Sequence, residues 1–370
     1  MIIRKVFNFV IIFLFFLNTS NAQNSEITLE EKIGQMIMIG FRGYDIHFYN
    51  QIAKDIKNKK IGGVILFDYD IQEKQYKRNI KNPKQLHKLT KKLQKFSKTP
   101  LFIAVDQEGG RVNRLKYKYG FPKTISPQKL GEKNNLEFTY NQADKISFIL
   151  GLEGINLNFA PVVDVNVNPS NPVIGKLGRS FSKNPYTVYR HSKQFIKAHN
   201  NNNILTAIKH FPGHGSSKQD SHLGFVDITN TWSYNELIPY KQLIQDDLIN
   251  VIMTAHVFNK KLDDKYPATL SFSVITELLR DGLKYNGVII SDDMQMKAIA
   301  NNYGLEEAIV KSINAGVDIL LFGNNLKYDP EIAQKIHNII FKKIKSGEIS
   351  EDRINESYER IMKLKEKFIK

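Results

Sequence analysis

The segment LFIAVDQEGGR, residues 101–111, decides the fold, because five apolar residues run without interruption into an acidic, glycine-containing stretch. An apolar run of this length that does not alternate with polar residues is typical of a strand buried on both faces of a parallel sheet. The polar residues after it are typical of the loop that follows such a strand. The segment therefore predicts an α/β protein in which helices cover a parallel sheet.

The same pattern of a short apolar run followed by a longer amphipathic stretch occurs eight times along the chain. Eight strand-helix units favour a (β/α)8 TIM-type barrel over a doubly wound sheet of two dinucleotide-binding halves. The apolar runs are residues 36–39, 61–67, 101–105, 155–165, 204–208, 251–253, 287–290 and 317–322.

The carboxyl-terminal part of the chain predicts two closing helices. Residues 329–345 and 351–370 carry apolar residues at helical spacing among charged ones, as in helices that pack one face on a core. No linker, low-complexity tract or hinge rich in proline and glycine interrupts the pattern. We therefore expect residues 23–370 to form a single catalytic barrel domain.

Composition narrows the class of protein. Of 370 residues, 42% are hydrophobic and 11% aromatic, which is too apolar for a disordered chain. The sequence has no cysteine, which excludes a disulfide scaffold, a thiolate metal site and a cysteine nucleophile. The formal net charge is +16, but the basic residues are mostly lysines scattered along the chain. We expect a lysine-coated surface and no nucleic acid partner.

The amino terminus has the pattern of a signal peptide, residues 1–22. Arg4 and Lys5 precede an apolar run over residues 6–17, and small or polar residues follow up to Ala22. A bilayer span needs about 20 apolar residues, so this run is too short for one. The alternatives are an uncleaved anchor or a buried first helix. We expect cleavage, export to the periplasm or the medium, and no stable membrane anchor, since no cysteine follows to carry a lipid.

Polar side chains follow five of the predicted strands at the point where each strand ends. In a (β/α)8 barrel the carboxyl ends of all strands meet at one rim, where the active sites of this fold lie. A polar residue at a single strand end commonly caps a helix or faces solvent, but five convergent sets favour catalysis. The residues, in strand order, are Asp106, Asp164, Lys209 and His210, His256, and Asp292 with Asp293.

The segment KHFPGHGSSKQDSH, residues 209–222, holds the highest density of potential catalytic side chains. His210 and His214 have the spacing of two zinc ligands on a helix, but Pro212 between them prevents that helix and no Glu follows His210. A zinc hydrolase that uses His210, His214 and His222 is therefore the weaker alternative.

Asp220 and His222 lie two residues apart on the loop that the glycines of this segment predict. A carboxylate can orient an imidazole and hold its proton until it is needed, so this pair could donate and accept a proton during catalysis. The alternative is a loop histidine that is exposed to water and has no catalytic role.

One carboxylate after the seventh strand, Asp292 or Asp293, could attack an electrophilic carbon. In a retaining glycosidase, a carboxylate forms a covalent glycosyl intermediate while a separate acid protonates the leaving oxygen. Carboxylates and guanidinium groups make the paired, directional hydrogen bonds that suit sugar hydroxyl and acyl groups. Side chains that could make them here are Asp106, Arg111, Arg114 and Arg179.

From about residue 29 to residue 365 the chain resembles glycoside hydrolase family 3, in its single-domain bacterial β-N-acetylglucosaminidase (β-N-acetylhexosaminidase) branch. The most specific match is residues 209–222, in which Lys-His-Phe-Pro-Gly-His-Gly is followed by Asp-Ser-His. The other matching blocks are KIGQM (32–36), GGVILF (62–67), DQEGGRVNR (106–114), NFAPVVDVN (158–166), GRSF (178–181) and SDDMQM (291–296).

The resemblance implies a role for each matching position. Asp292 matches the family nucleophile, and His222 with Asp220 matches an acid/base pair in which a histidine replaces the usual carboxylic acid. A histidine acid has a physical rationale, because its unperturbed pKa of about 6.5 lets it donate and accept a proton near neutrality. The residues that match holders of a terminal N-acetylglucosamine are Asp106, Arg114, Arg179, Lys209 and His210. Supporting positions are Asp164, His214 and His256, and no metal or cofactor is implied.

By this resemblance we expect an exo-acting, retaining β-N-acetylhexosaminidase that removes terminal β-linked N-acetylglucosamine. Its substrates would be muropeptides from peptidoglycan or chitin-type oligosaccharides, and we expect a monomer. Two alternatives stay open: a β-N-acetylglucosaminide phosphorylase, and a non-catalytic glycan-binding protein on the same scaffold. The sequence departs from the family at residues 68–71, where DYDI replaces the common Ser/Arg-Asn-Ile, and this leaves the family's contacts beyond the first sugar open.

Overall fold

A computed structural model describes residues 27–369 of the chain, so the predicted signal peptide lies outside the described residues. All eight predicted strands are present. They are β1 (Ile37–Gly40), β2 (Gly63–Leu66), β3 (Phe102–Val105), β4 (Leu157–Asn158), β5 (Leu205–Phe211), β6 (Val251–Thr254), β7 (Val288–Ile290) and β8 (Leu320–Phe322).

The eight strands form one parallel sheet that curves into a nearly closed barrel. Its order is β7-β6-β5-β4-β3-β2-β1-β8, so each strand pairs with its neighbours in the sequence, and β1 also pairs with β8. The barrel closes between β7 and β8 through an isolated parallel bridge from Ile290 to Ile319, where the Ser291 N–H donates to the Ile319 carbonyl at 2.9 Å. The predicted (β/α)8 TIM-type barrel is confirmed.

The fourth strand is much shorter than the apolar run that predicts it. The run covers residues 155–165, but only Leu157–Asn158 pairs as a strand. Pro161 has no N–H to donate, and the chain resumes parallel pairing only at an isolated bridge from Val162 to Lys209. Most of the rest of this run is buried but, apart from Val162, does not pair with a neighbouring strand.

Helices surround the barrel, and a π-helical segment, Ser273–Gly282, lies between β6 and β7. Short 3₁₀ turns occur at Tyr117–Tyr119, Tyr234–Leu237 and Ala268–Leu270, and two-stranded hairpins follow β2 and β3. The α-helices are α1 (Leu29–Gln35), α2 (Gln51–Lys57), α3 (Pro83–Phe96), α4 (Pro127–Lys133), α5 (Leu136–Leu152), α6 (Pro185–Asn201), α7 (Ile238–Gln245), α8 (Lys297–Ala300), α9 (Leu305–Ala315), α10 (Ile332–Lys345) and α11 (Glu351–Phe368).

Helix α3 illustrates how the sequence sets these elements. The side chain of Asn82 accepts a hydrogen bond from the Gln85 N–H, and Pro83 occupies the first turn, where its missing N–H costs nothing. Leucines then recur at helical spacing and bury one face of the helix against the barrel. These leucines are Leu86, Leu89 and Leu93.

The two closing helices are confirmed, and α11 covers the amino end of the barrel. Lys365 of α11 is buried there, and its ammonium donates to Oε1 of Gln35 and to the carbonyl of Gly62, which precede β1 and β2. Asp318, just before β8, accepts hydrogen bonds from Arg353 of α11 and from Arg280. With this end covered, the carboxyl end is the one left available for a site.

Within residues 27–369, no helix is both long enough and apolar enough to cross a bilayer.

Candidate active site

The loops at the carboxyl end of the barrel enclose a cavity of about 430 Å³. All three residues predicted to be catalytic and all five predicted to bind substrate line it. These are Asp106, Arg114, Arg179, Lys209, His210, Asp220, His222 and Asp292. The cavity is also lined by Asp293 and by residues of the loop after β2, including Phe67, Asp68 and Tyr69. The predicted supporting residues Asp164, His214 and His256 are buried outside its lining.

Asp106 and Lys209 join the ends of β3 and β5 across the cavity. The Lys209 ammonium donates to Oδ1 of Asp106 at 2.8 Å, and Nη2 of Arg114 donates to Oδ2 at 3.2 Å. Burial alone would raise the pKa of Asp106, but the two cations outweigh it and hold that pKa well below its usual range. Asp106 is therefore ionised and can accept hydrogen bonds from sugar hydroxyls.

Glu108 is a member of this network that the sequence analysis did not single out. Its carboxylate forms a bidentate pair with Arg179, at 2.8 and 2.7 Å, and also lies 2.8 Å from the Lys209 ammonium. The side chain is buried, which opposes ionisation, but the charges of Arg179 and Lys209 lower its pKa overall. The sequence feature that could have identified Glu108 is its position in the acidic stretch after β3, two residues beyond Asp106.

His210 is fixed by Asp164 from behind. Nδ1 of His210 lies 2.6 Å from Oδ2 of Asp164, and Oδ1 accepts the peptide N–H groups of His210 and His214 at 3.2 and 2.8 Å. Burial together with the charges of Arg179 and Lys209 places the pKa of His210 well below its ordinary value, so its ring is neutral at pH 7. Asp164 thus orients a residue of the cavity wall without entering the cavity.

His214 does not converge with the other histidines of its segment. Its Nδ1 lies 2.8 Å from the hydroxyl of Ser217 and its Nε2 lies 3.2 Å from the hydroxyl of Ser221, so both ring nitrogens bind the loop itself. In the described part of the chain, no group of three His, Cys, Asp or Glu side chains is arranged to hold a metal ion. This geometry disfavours the zinc alternative that uses His210, His214 and His222.

The loop after β5 carries the predicted acid/base pair and needs glycine at two places. Gly213 has a φ of +125°, which side chains rarely tolerate, and it packs on the side chain of Glu236. A Cβ on Gly215 would lie 1.7 Å from the carbonyl oxygen of Val165, so this residue has no room for a side chain. Oε2 of Glu236 accepts the Gly215 N–H at 3.1 Å, and the indole N–H of Trp232 donates to the Pro212 carbonyl at 3.0 Å.

Asp220 and His222 form a hydrogen-bonded pair at the mouth of the cavity. Nδ1 of His222 lies 2.7 Å from Oδ1 of Asp220, and the same oxygen accepts the peptide N–H of His222 at 2.8 Å. Burial opposes ionisation of Asp220, but these hydrogen bonds lower its pKa overall. Because an ionised carboxylate can only accept, Nδ1 carries the proton, and Nε2 is the nitrogen available for transfer to a ligand.

The charge of His222 responds to two carboxylates. The hydrogen bond that its Nδ1–H donates to Asp220 and the charge of Asp292 raise its pKa above the ordinary value. The imidazole and the carboxylate of Asp292 line the same cavity. The imidazole side chain is 53% exposed, as an acid that meets a leaving group at the cavity entrance requires.

Asp292 and Asp293 have different environments. Burial raises the pKa of both, but for Asp292 the imidazoles of His256 and His222 and the N–H of Asp293 reverse the effect and lower it. The pKa of Asp293 rises to about 6, and its Oδ1 already accepts the N–H groups of Gln295 and Gly323. Neighbouring acids whose pKa values are driven apart have different roles, and Asp292 is the ionised carboxylate of the two. Within the described residues, its Oδ1 accepts only the peptide N–H of Asp293, at 2.8 Å.

His256 supports this strand end without lining the cavity. Its Nε2–H donates to the carbonyl of Asp293 at 3.0 Å, and its Nδ1 lies 2.8 Å from the hydroxyl of Thr269. Arg111, which the sequence suggests as a sugar contact, does not line the cavity. Its guanidinium is exposed and donates to the carbonyl of Lys176, away from the cavity lining.

The fold and the site define the class of protein. A (β/α)8 barrel holds, in one cavity at the carboxyl ends of its strands, an ionised carboxylate and an imidazole that is paired with a second carboxylate. The cavity between them is lined by buried cationic and anionic groups suited to hydroxyl-rich ligands.

Comparison with known proteins agrees with this class. The model of the glycosyl hydrolase family 3 N terminal domain matches residues 28–364. The chain therefore belongs to glycosyl hydrolase family 3.

Individual relatives extend the comparison. In an alignment of 391 residues that includes gaps, the chain is 32% identical to beta-hexosaminidase A of Pseudoalteromonas piscicida. The alignment covers 95% of this chain and 64% of that protein. It is 37% identical over 277 residues to a beta-hexosaminidase of Tolumonas auensis, covering 73% and 78% of the two chains. A family 3 beta-N-acetylglucosaminidase structure from Paenibacillus sp. str. FPU-7 superposes with a TM-score of 0.84 at 34% identity, covering 92% of this chain and 62% of that one. The chain thus spans less than two thirds of the first and third of these relatives.

Proposed function

We propose that the protein is an exo-acting, retaining β-N-acetylhexosaminidase that hydrolyses terminal β-linked N-acetylglucosamine through a covalent glycosyl-enzyme. The observation that carries the proposal is that ionised Asp292 and the Asp220–His222 pair line one cavity. One group can attack the anomeric carbon while the other protonates the leaving oxygen. The names of the curated relatives support the sugar class.

Binding of the terminal sugar is assigned to the charged residues of the cavity wall. Asp106 accepts from sugar hydroxyls, and Lys209, Arg114 and Arg179 donate to hydroxyl and acyl oxygens. The neutral ring of His210 is held in place by Asp164 and adds one further polar contact. These groups are paired with one another before substrate binds, which reduces the cost of ordering them.

In the first step, a carboxylate oxygen of Asp292 forms a bond to C1 as the bond from C1 to the leaving oxygen breaks. The Nε2–H of protonated His222 gives its proton to that oxygen, and the aglycone leaves as an alcohol. Asp220 stabilises the imidazolium before transfer and keeps Nε2 directed outward.

In the second step, the neutral Nε2 of His222 takes a proton from water, whose oxygen attacks C1. The ester bond to Asp292 breaks and N-acetylglucosamine leaves with its anomeric configuration retained. A histidine base is uncharged, so it repels an incoming anion less than a carboxylate would. For that reason the experiment below tests whether phosphate competes with water as the nucleophile.

We place the activity outside the inner membrane, with peptidoglycan-derived muropeptides as substrates. The support is the sequence of residues 1–22, which has the charge, length and exit residues of a signal peptide.

The test is product analysis on N-acetylglucosaminyl-anhydro-N-acetylmuramic acid with and without phosphate. We expect free N-acetylglucosamine at a rate that phosphate does not change, and release of p-nitrophenol from p-nitrophenyl N-acetylglucosaminide. N-acetylglucosamine 1-phosphate as the main product would instead identify a phosphorylase. Binding without turnover would identify a glycan-binding protein.

A further inference from the structure

The exposed aromatic side chains are concentrated at the carboxyl end of the barrel. In residues 27–369, ten aromatic side chains are exposed, and nine of them lie between the end of a barrel strand and the first turn of the next helix. Phe148, in the second half of α5, is the exception. Exposed aromatic surface that collects on one face of a protein marks a place where a partner binds.

Three of these aromatic residues are tyrosines that share one arrangement, and we call them with their lysines the Tyr–Lys platform. Tyr44, Tyr76 and Tyr117 are 48%, 57% and 66% exposed. A lysine ammonium lies over each ring, at 5.2, 3.6 and 4.8 Å from its centroid. The lysines are Lys81, Lys118 and Lys123. In the described part of the chain, none of these three lysines forms an ion pair with a carboxylate, so their charges are available to a ligand.

The platform is built on three loops that pack as one block. Arg42, after β1, donates to Asp70 of the loop after β2 at 2.7 Å. The side-chain amide of Gln85, in the first turn of α3 directly after that second loop, donates to the Tyr44 carbonyl at 2.6 Å. Lys118, after β3, lies over Tyr76 of the second loop. The platform is therefore positioned by side-chain contacts between loops as well as by the strands below.

The platform begins at the wall of the proposed active site. Tyr69 lines the cavity, and its ring lies 5.0 Å from that of Tyr76 across the short hairpin that they share. Asp68 also lines the cavity and pairs with Lys116, the neighbour of Tyr117, at 2.5 Å. A chain that left the cavity over Tyr69 would pass directly onto Tyr76 and Lys118.

We propose that the Tyr–Lys platform binds the part of an anionic, β-linked glycan strand that extends beyond the terminal sugar. The exposed parts of the tyrosine rings that the lysines leave uncovered offer apolar surface to the C–H groups of pyranose rings, and the lysines pair with carboxylates on the glycan. This inference rests on the proposed function, because it places the leaving part of the substrate outside the cavity. Residues 68–71, DYDI, supply the first part of this path, since Asp68 and Tyr69 line the cavity.

The test measures co-sedimentation of the whole protein with two insoluble glycans: peptidoglycan sacculi, which carry carboxylates, and chitin, which is neutral. We expect Tyr76→Ala to weaken binding to both by roughly threefold to tenfold, the range of a lost aromatic contact. Lys118→Gln should weaken binding to sacculi alone, and the difference from wild type should shrink as salt is raised. Phe148→Ala and Lys241→Gln, exposed residues of α5 and α7, are the matched controls and should bind as wild type.

Hydrolysis of p-nitrophenyl N-acetylglucosaminide separates this inference from the proposed function. Its aglycone is too small to reach Tyr76, so the platform variants should hydrolyse it as wild type does. If wild type fails to hydrolyse it, the proposed function is wrong, while sedimentation still tests the platform. The platform would be overturned if its variants bind sacculi as wild type does. It would also be overturned if wild type binds an insoluble polynucleotide, tested in the same assay, more tightly than sacculi.

Discussion

Nδ1 of His222 lies 2.7 Å from Oδ1 of Asp220, and the peptide N–H of His222 donates to the same oxygen. The backbone and the imidazole of one residue thus share a single carboxylate oxygen two positions earlier in the chain. This local contact fixes the tautomer and the direction of the ring without help from another element. It gives the loop after β5 a proton donor that is oriented before substrate arrives.

The first prediction concerns the nucleophile. Asp292→Asn should reduce release of p-nitrophenol from p-nitrophenyl N-acetylglucosaminide by roughly 10⁴-fold, because no covalent intermediate can form. Asp293→Asn is the matched control. This variant should lose much less activity, since the side-chain amide oxygen of the new asparagine can still accept the Gln295 and Gly323 N–H groups. A reversed order of the two variants, measured by initial rates, would assign the attack to Asp293.

The second prediction separates the two steps by leaving group. His222→Ala should lose most activity on substrates with poor leaving groups, which need a proton, and keep most of it for formation of the glycosyl-enzyme from very good ones. Breakdown of that intermediate should become slow, so a burst of p-nitrophenol should precede a slow steady state. Equal loss across a series of leaving groups would argue against an acid role for His222.

The third prediction concerns the pH dependence of the acid. The pKa of His222 is raised, first by its hydrogen bond to Asp220, so the alkaline limb of kcat/KM should lie above the ordinary value for histidine. Asp220→Asn removes this cause and should move the alkaline limb to lower pH. The acid limb, set by Asp292, should stay in place because the pKa of that group has other main causes. An unchanged alkaline limb in Asp220→Asn would contradict the assignment.

The fourth prediction concerns Glu236, which is buried and accepts a hydrogen bond from Gly215 of the loop after β5. Burial raises its pKa from 4.5 to about 8. The folded state therefore binds more protons than the unfolded state between these values, and the contribution of Glu236 to stability falls as pH rises through that window. Glutamine stays neutral at every pH. The Tm of Glu236→Gln should therefore rise relative to that of wild type between pH 5 and pH 8, and the difference should stay constant above pH 8.

Thermal unfolding at several pH values checks this behaviour. Glu359→Gln, an exposed position on α11, is the matched control and should show no such pH-dependent gain. A constant difference in Tm between Glu236→Gln and wild type at all pH values would mean that Glu236 is already ionised in the folded protein.

Several parts of the molecule follow from sequence patterns because they depend on local physics. Buried parallel strands need continuous apolar runs, so all eight strands could be predicted, as could the closing helices from their periodicity. The polar residues at the strand ends converge because the barrel brings those ends together. This convergence explains why the eight residues predicted for catalysis and binding all line one cavity.

Other features depend on contacts between distant segments and could not be predicted in this way. Glu108 is important because Arg179 and Lys209 reach it from two other loops. Glu236 meets Gly215 only after the loop after β5 folds back over it. The residue type and position of Arg111 suggest a contact to sugar. However, the tight turn at Gly109 and Gly110 directs its side chain toward the carbonyl of Lys176. Charge type alone does not fix the direction of a loop side chain.

The central claim is that Asp292 forms a covalent bond to the sugar, and peptide mapping of a trapped intermediate tests it most directly. The protein would be treated with a 5-fluoro N-acetylglucosaminyl fluoride, which slows both steps, then digested and analysed by mass spectrometry. We predict the added mass on Asp292. An adduct on Asp293, or turnover with no covalent species at all, would contradict the account.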